Sequence, residues 1–262
     1  MTKRPTKTIQ RKSLFGVPFD TVDMETAIRL ASEAMTDGRR LQHSDVNVSK
    51  FVDMKRSPDL QKFVEESDLI CVDGMGILLA CKLFGISVSG RVTGIDLMEH
   101  ILNVCSKEGF RPYFLGSKPE ILELMIERLT RKYSGLKIAG WRHGYFDKSE
   151  ENSIVKDINE TGADCLFVGI SSPTKERFLH THRDKLRVPL QVGVGGAFDV
   201  VSGQIKRAPV FMQQAGLEWF FRLAQEPRRL TGRYVNSNLL FLGLLGFYAA
   251  KGVLGSSSEN KA

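Results

Sequence analysis

Between about residues 41 and 196, short apolar runs alternate with segments of helical period, and this alternation leaves the chain few folds to adopt. The runs are "LICVD", "RPYFLG", "LKIAGW", "DCLFVGI" and "LQVGVGG", with a weaker one around "QHSDVNV". Each stronger run is short, rich in Ile, Val, Leu or Phe, and ends on or near Gly or Asp. Continuous apolar runs of this length suit parallel strands covered on both faces. The segments between them carry helix signals. "GSKPEILELMIERLTRKYSG" offers Ser117 as cap, Pro119 in the first turn, Glu120 to close a capping box and Gly135 as stop. "DKSE" at 147–150 repeats the box, and "SSPTKERF" places Ser172 as cap before Pro173.

Strand and helix alternating in this way predict an α/β fold, a Rossmann-like doubly wound and mostly parallel sheet with ligands at the carboxyl ends of its strands. The 262 residues suffice for one such domain with an appendage. The expected division is a basic N-terminal tail over 1–20, an α/β catalytic domain over 21–204, a C-terminal appendage over 205–255, and a disordered tail over 256–262. The four cysteines lie in apolar stretches without a CxxC pair, which predicts free thiols in a reducing cytosol. Only His180 and His182 are close neighbours among five histidines, with no carboxylate or thiol nearby to complete a ligand set, so no metal centre is expected.

The net charge of +7 is unevenly placed. Lys3, Arg4, Lys7, Arg11 and Lys12 fall in the first twelve residues with no acid among them. No apolar core follows that would make this a signal peptide, so a disordered basic tail is expected. A second cluster comprises Lys206, Arg207, Arg222, Arg228, Arg229 and Arg233, set against Glu218 and Glu226. With no nucleic-acid-binding motif present, these cations suit phosphorylated small molecules or anionic lipid.

In a parallel sheet the residues just after each strand share one rim. Here they are Asn47, Asp73, Gly116, Ser117, Gly144, Tyr145, Ser171, Ser172 and the turn from Gly193 to Gly196. Asp73 is the one carboxylate in that set, either a helix cap or a group placed to take a proton. "GMGILL" lacks the third glycine of a dinucleotide fingerprint, and "GVGGAF" follows the last strand rather than the first, so a nicotinamide cofactor is not expected. "GVGGAFD" reads either as a nest for a diphosphate or nucleoside, or as a tight turn. Farther on, "RAPVFMQQAGLEWFFRLAQEPRRLTGRY" reads as a helix stopped at Pro227, and Leu239–Ala250 forms a twelve-residue apolar run. That run is too short to cross a bilayer. It could pack as a core or dimer helix; its basic neighbours favour a place in the membrane interface.

From about Asn47 to Tyr234 the chain resembles the WecG/TagA/CpsF glycosyltransferases of bacterial surface-polysaccharide synthesis. The resemblance rests on "VDGMG", "RVTGIDL", "YFLGSKPE", "GYF", "VGISSPTKE", "VGVGGAFDVVSG", "RAP" and "GLEWFFRLAQEPRR", in this order. It implies transfer of a sugar, N-acetylmannosamine or a related hexose or uronic acid, from a UDP-sugar to a polyprenyl-diphosphate-linked saccharide, with inversion and without a metal or other cofactor. It implies Asp73 as general base and Asn47 in the pocket, with Arg228 and Arg229 among the arginines that reach the acceptor diphosphate and an anionic membrane surface. The matching motifs further imply substrate contacts by Gly74, Arg91, Thr93, Gly116, Ser117, Tyr145, Ser172, Glu176, Gly195, Gly196, Asp199, Arg207, Arg222 and Arg233.

Two positions depart from the family pattern. Asp45 stands where a threonine is usual, and Lys175 replaces a glutamine; the new cation could meet a more anionic donor or balance Asp45. The resulting expectation is a metal-independent enzyme, peripheral on the cytoplasmic face of the membrane and able to form a homo-oligomer. Rival readings are a glucosyl- or glucuronosyltransferase of the same fold, or a catalytically idle nucleotide-sugar-binding subunit.

Overall fold

The computed structural model describes residues 9–259, with side chains as far as residue 251. The chain opens with an antiparallel hairpin, β1 (Arg11–Leu14) and β2 (Val17–Asp20). It continues through α1 (Met24–Asp37), β3 (Leu41–Val46), α2 (Val48–Arg56), α3 (Pro58–Glu65), β4 (Leu69–Val72), α4 (Met75–Leu83) and α5 (Gly94–Glu108). Next come β5 (Pro112–Gly116), α6 (Pro119–Lys132), β6 (Gly140–Arg142), α7 (Glu151–Glu160), β7 (Cys165–Gly169), α8 (Thr174–Thr181) and β8 (Leu190–Gly193). The short helices α9 (Ala197–Val201), α10 (Val210–Gln214) and α11 (Glu218–Gln225) lead into the long α12 (Pro227–Glu259).

Strands β3–β8 form one parallel sheet in the order β4-β3-β8-β7-β5-β6, the expected α/β architecture. Both faces are covered, as the apolar runs require. Along β7, Cys165 and Phe167 face a core shared with α1, α5 and α6, while Leu166 and Val168 face a second core with α7 and α8. A third core joins the hairpin, α2, α3, β4, α4 and Phe241 of α12. Local signals fix the helix ends: Asp23 accepts from the Thr26 N–H to start α1, and Gly38 ends it in the left-handed region.

Several boundaries differ from the sequence reading. Residues 11–20, expected within a disordered tail, form the hairpin, because Leu14, Val17 and Phe19 are fully buried and Arg11 grips the buried Asp20 at 2.9 Å. Residues 1–8 lie outside the described residues. Ser172 and Ser117 are not caps: α8 begins after a cis Ser172–Pro173 bond, and α6 is capped by Lys118 without a side-chain bond. At 147–150, by contrast, the capping box forms, with Glu150 accepting from the Asp147 N–H. Helix α11 ends at Gln225, just before Pro227 as expected, and Pro227 also starts the next helix, as its preset φ and missing N–H permit at a first helical position. Helix α12 therefore contains Leu239–Ala250 and runs through Glu259, so the tail expected from residue 256 is helical up to that point. Among the described residues, no helix is long and apolar enough to cross a membrane.

Candidate active site

The carboxyl ends of β3, β4, β7 and β8 open into a cleft of about 1450 Å³, roofed by α11 and α12. Asp73 lies on its floor. Its backbone N–H continues the β3–β4 ladder by donating to Val46 O at 3.0 Å. The N-cap of α4 is Gly74, and no side chain caps that helix, so the cap reading of Asp73 fails and its carboxylate is left to the cleft. Burial, reinforced by Asp45 and Glu218 and partly offset by Arg91 and Lys50, pushes the Asp73 carboxyl up to about 7. A group at that value exchanges a proton near neutrality. Asn47, also on the cleft wall, does cap a helix: its Oδ1 accepts from the Lys50 N–H at 3.0 Å.

Beside these two residues lies a cluster of four buried charges. Lys50 Nζ is 2.8 Å from Asp45 and 2.7 Å from Glu176; Lys175 Nζ is 3.2 Å from each. The two cations hold the Asp45 carboxyl far below its usual range and Glu176 at about 2, in both cases against a burial effect that acts the other way. The ammonium of Lys175 is raised although burial opposes it, because Asp45 and Glu176 face it. Of the two roles open to Lys175, the structure forms the pair with Asp45. Lys50 escaped the sequence reading: a lysine three residues after a helix cap looks like any solvated helix position.

The glycine turns are tightly packed. The N–H groups of Val194 and Gly195 both donate to Val168 O, at 3.0 and 3.3 Å, and the Ser117 N–H donates to Gly169 O, so these amides are already bonded. Gly116 has φ +145°, and a Cβ there would meet the Gly169 carbonyl carbon at 2.4 Å. Only glycine fits where these strand ends cross. Ser117 Oγ donates to Asp199 at 3.2 Å, and both line the cleft with Gly195, Gly196, Ser172 and the exposed Tyr145.

Cations line the opposite wall, each with an acidic neighbour. Arg91 lies 3.4 Å from Glu218, and Arg207 lies 2.6 Å from Asp96. Thr93 caps α5 and donates to the Asp96 carboxylate; these two partners hold Asp96 low despite its burial. Arg222 donates to Gly196 O at 3.3 Å and sits 3.8 Å from Glu226, which also holds Arg229 at 2.5 Å. Arg233 completes this wall. Three expected site residues are not on the cleft surface. Gly116 and Glu176 lie behind it, and Arg228 is exposed and outside the lining, so the expected Arg228–Arg229 pair is divided. The mouth is apolar, with Leu79 and Leu83 of α4, Trp219 of α11 and Leu242 of α12. Among the described residues, no group of three or more His, Cys, Asp or Glu is placed to hold a metal ion.

A strand-end cleft with one unpaired carboxylate, an arginine wall and an apolar mouth has the parts a transferase of charged substrates needs, and similar chains are known. An N-acetylglucosaminyldiphosphoundecaprenol N-acetyl-beta-D-mannosaminyltransferase of Bacillus subtilis (strain 168) is 32% identical over 166 residues, 63% of this chain and 64% of that protein. The protein of the same name from Bacillus spizizenii (strain ATCC 23059 / NRRL B-14472 / W23) is 33% identical over 174 residues, 66% of this chain and 67% of that one. The similarity thus spans just under two thirds of the first relative's length. The "Glycosyl transferase WecG/TagA/CpsF family" model matches residues 12–252, from the hairpin well into α12, and by that match the chain belongs to this family of glycosyltransferases.

Proposed function

We propose that the chain transfers a sugar from a UDP-sugar to a polyprenyl-diphosphate-linked saccharide by a single inverting displacement, with Asp73 as general base. The observation that carries this reading is the Asp73 carboxylate itself: on the cleft floor, not used as a cap, and raised to about 7. An acceptor hydroxyl titrates far above neutrality and needs a base as its oxygen bonds to the anomeric carbon. In the proposed step the bond from that carbon to the UDP oxygen breaks, UDP keeps the electron pair, and the hydroxyl proton passes to Asp73. Attack opposite the leaving group inverts the anomeric centre.

Arg207, Arg222, Arg229 and Arg233 supply positive charge for the two diphosphates, in the role a divalent ion fills elsewhere. The relatives' names support N-acetylmannosamine as donor sugar and diphosphoundecaprenol-linked N-acetylglucosamine as acceptor. The apolar mouth suits an acceptor whose lipid stays in the membrane while its head enters the cleft, which makes the enzyme a peripheral protein of the inner membrane face.

The test is transfer from UDP-N-acetylmannosamine to a short-chain lipid-diphosphate N-acetylglucosamine, with UDP-glucose and UDP-glucuronate as rival donors, in the presence and absence of EDTA. Asp73→Asn should retain UDP binding and lower kcat by about 10²–10⁴. Normal turnover by this variant overturns the base assignment. UDP binding without turnover of any donor would leave an idle binding subunit, and a loss in EDTA restored by magnesium would overturn the arginine role.

A further inference from the structure

The displacement proposed above makes no use of the buried charge cluster, although two of its members border the base. Asp45 lies on β3 opposite Cys71 of β4, and the Asp73 N–H extends that ladder by bonding Val46 O. Strand alternation therefore puts Asp45 on the same face as Asp73, one strand over and two residues upstream. Lys175 reaches Asp45 from the other side. Its stem runs so close to β8 that a Cβ on Gly193 would lie 2.9 Å from its Cε, and its Nζ is 3.7 Å from where a Gly195 Cβ would be. The ammonium is thus wedged between Asp45 and the glycine turn at the cleft floor. A buried ion pair contributes little net stability, because desolvation offsets the attraction. Two such pairs next to a catalytic carboxylate call for another explanation.

We propose that Asp45 and Lys175 form a coupled positioning pair for Asp73, in which Asp45 opposes the negative charge of the base and Lys175 limits how much of that opposition Asp73 feels. This rests on the reading of Asp73 as general base. The charged and titratable groups around Asp73 are Asp45 of β3, Lys50 of α2, Cys71 of β4, Arg91 before α5, and Glu218 of α11. Around Asp45 they are His43 of β3, Lys50 of α2, and Lys175 of α8, with Glu176 bridging the two lysines. A neighbouring carboxylate makes a second one harder to ionise, and a cation beside the first relieves that effect.

The two residues therefore act with opposite sign. Asp45→Asn removes a like charge, so Asp73 loses its proton at lower pH. Lys175→Gln leaves Asp45 with Lys50 alone, so Asp73 holds its proton to higher pH. A purely structural role would lower kcat in both variants and move neither titration.

The experiment measures kcat/KM against pH for the transfer assay above with wild type, Asp45→Asn, Lys175→Gln and the double variant. The acid limb should fall by about one pH unit in Asp45→Asn and rise by about one unit in Lys175→Gln. In the Asp45→Asn background the Lys175→Gln shift should shrink. Limbs that stay put, or move the same way in both single variants, overturn the proposal. If Lys175→Gln does not fold, Asp45→Asn and the double variant still decide it. Carboxyl ¹³C titration of Asp73 in the wild type and Asp45→Asn reads the same downward shift without turnover, and an unchanged titration overturns it equally. Full activity of Asp73→Asn would defeat the base reading instead; an inactive Asp73→Asn with unshifted limbs defeats the pair alone.

Discussion

Lys50→Met tests whether the charge cluster is the closed unit its distances describe. The Lys50 side chain is 2% exposed and bonds Asp45 and Glu176 at once. Its removal leaves two buried carboxylates facing only Lys175, an uncompensated negative charge. Breaking one partner out of a buried ion cluster costs about 3–5 kcal/mol. An independent route gives the same scale. The protein can escape by protonating one carboxyl, and for a glutamate whose ordinary value is 4.5 that costs about 3 kcal/mol at pH 7. For a chain of this size the melting temperature should drop by about 6–20 °C.

The pH dependence distinguishes charge from packing. At pH 4.5 the escape is nearly free, so the penalty should shrink to about 1 kcal/mol. Lys50→Met/Glu176→Gln, which removes one charge of each sign, should recover about half of the loss at pH 7. The assay is urea denaturation followed by circular dichroism at both pH values. A penalty below about 1 kcal/mol at pH 7, or an equal one at pH 4.5, would refute the reasoning.

Two other expectations concern His43, beside the cluster, and helix α12. Burial pushes the His43 imidazole down to about 4 from 6.5, so the fold favours its neutral form; that contribution is complete above pH 6.5 and is lost as pH falls toward 4. His43→Gln should flatten the fall in unfolding free energy between those values, to which the imidazole contributes about 3 kcal/mol, and an unchanged slope would count against it. On α12, Leu239 and Phe247 are 65% and 54% exposed and two four-residue steps apart, so they share one face. Leu239→Glu/Phe247→Glu should abolish binding to phosphatidylglycerol vesicles and keep the melting temperature, whereas high salt should release the wild type only in part; undiminished binding by the variant would remove α12 as a membrane contact.

The sheet was legible where its strands are apolar on both faces, and least so at β3, next to one edge. Strand β3 carries Gln42, His43, Ser44 and Asp45, all buried, so a search for apolar runs ranks it weakest although β4 and β8 flank it. The run "LKIAGW" yields a strand only at Gly140–Arg142, on the sheet edge, where one neighbour supplies all the pairing. Hairpin residues 11–20 were hidden by their cations, yet Arg11 is a packing residue that reaches Asp20 and the Ser67 carbonyl. The Asp73 rim position followed from strand order alone. Of the cluster beside it, the Lys175–Asp45 pair was one of two readings that the departures from the family pattern left open, while Lys50 of α2 went unannounced, since nothing local in its segment points across to β3 and α8.

The two walls of the cleft differ in how firmly their charges are held, and that difference matters for the proposed reaction. On the sheet side, four charges are nearly sealed from water at 2.7–3.2 Å, so displacing any one leaves a buried ion unpaired. On the helical side, Arg91, Arg207, Arg222 and Arg229 pair with Glu218, Asp96 and Glu226 while every partner retains exposure of about a fifth or more. Partly exposed pairs of this kind are held by at most about 1 kcal/mol each. A dianionic diphosphate entering the cleft can therefore take over arginines from their carboxylates at small cost, whereas it cannot displace the sealed charges of Asp45, Lys50, Lys175 and Glu176. The base stays fixed to the sheet, and the anion clamp on α11 and α12 yields to whatever diphosphate arrives. A single displacement needs both properties: a proton acceptor whose position does not change, and cations free to follow the leaving group.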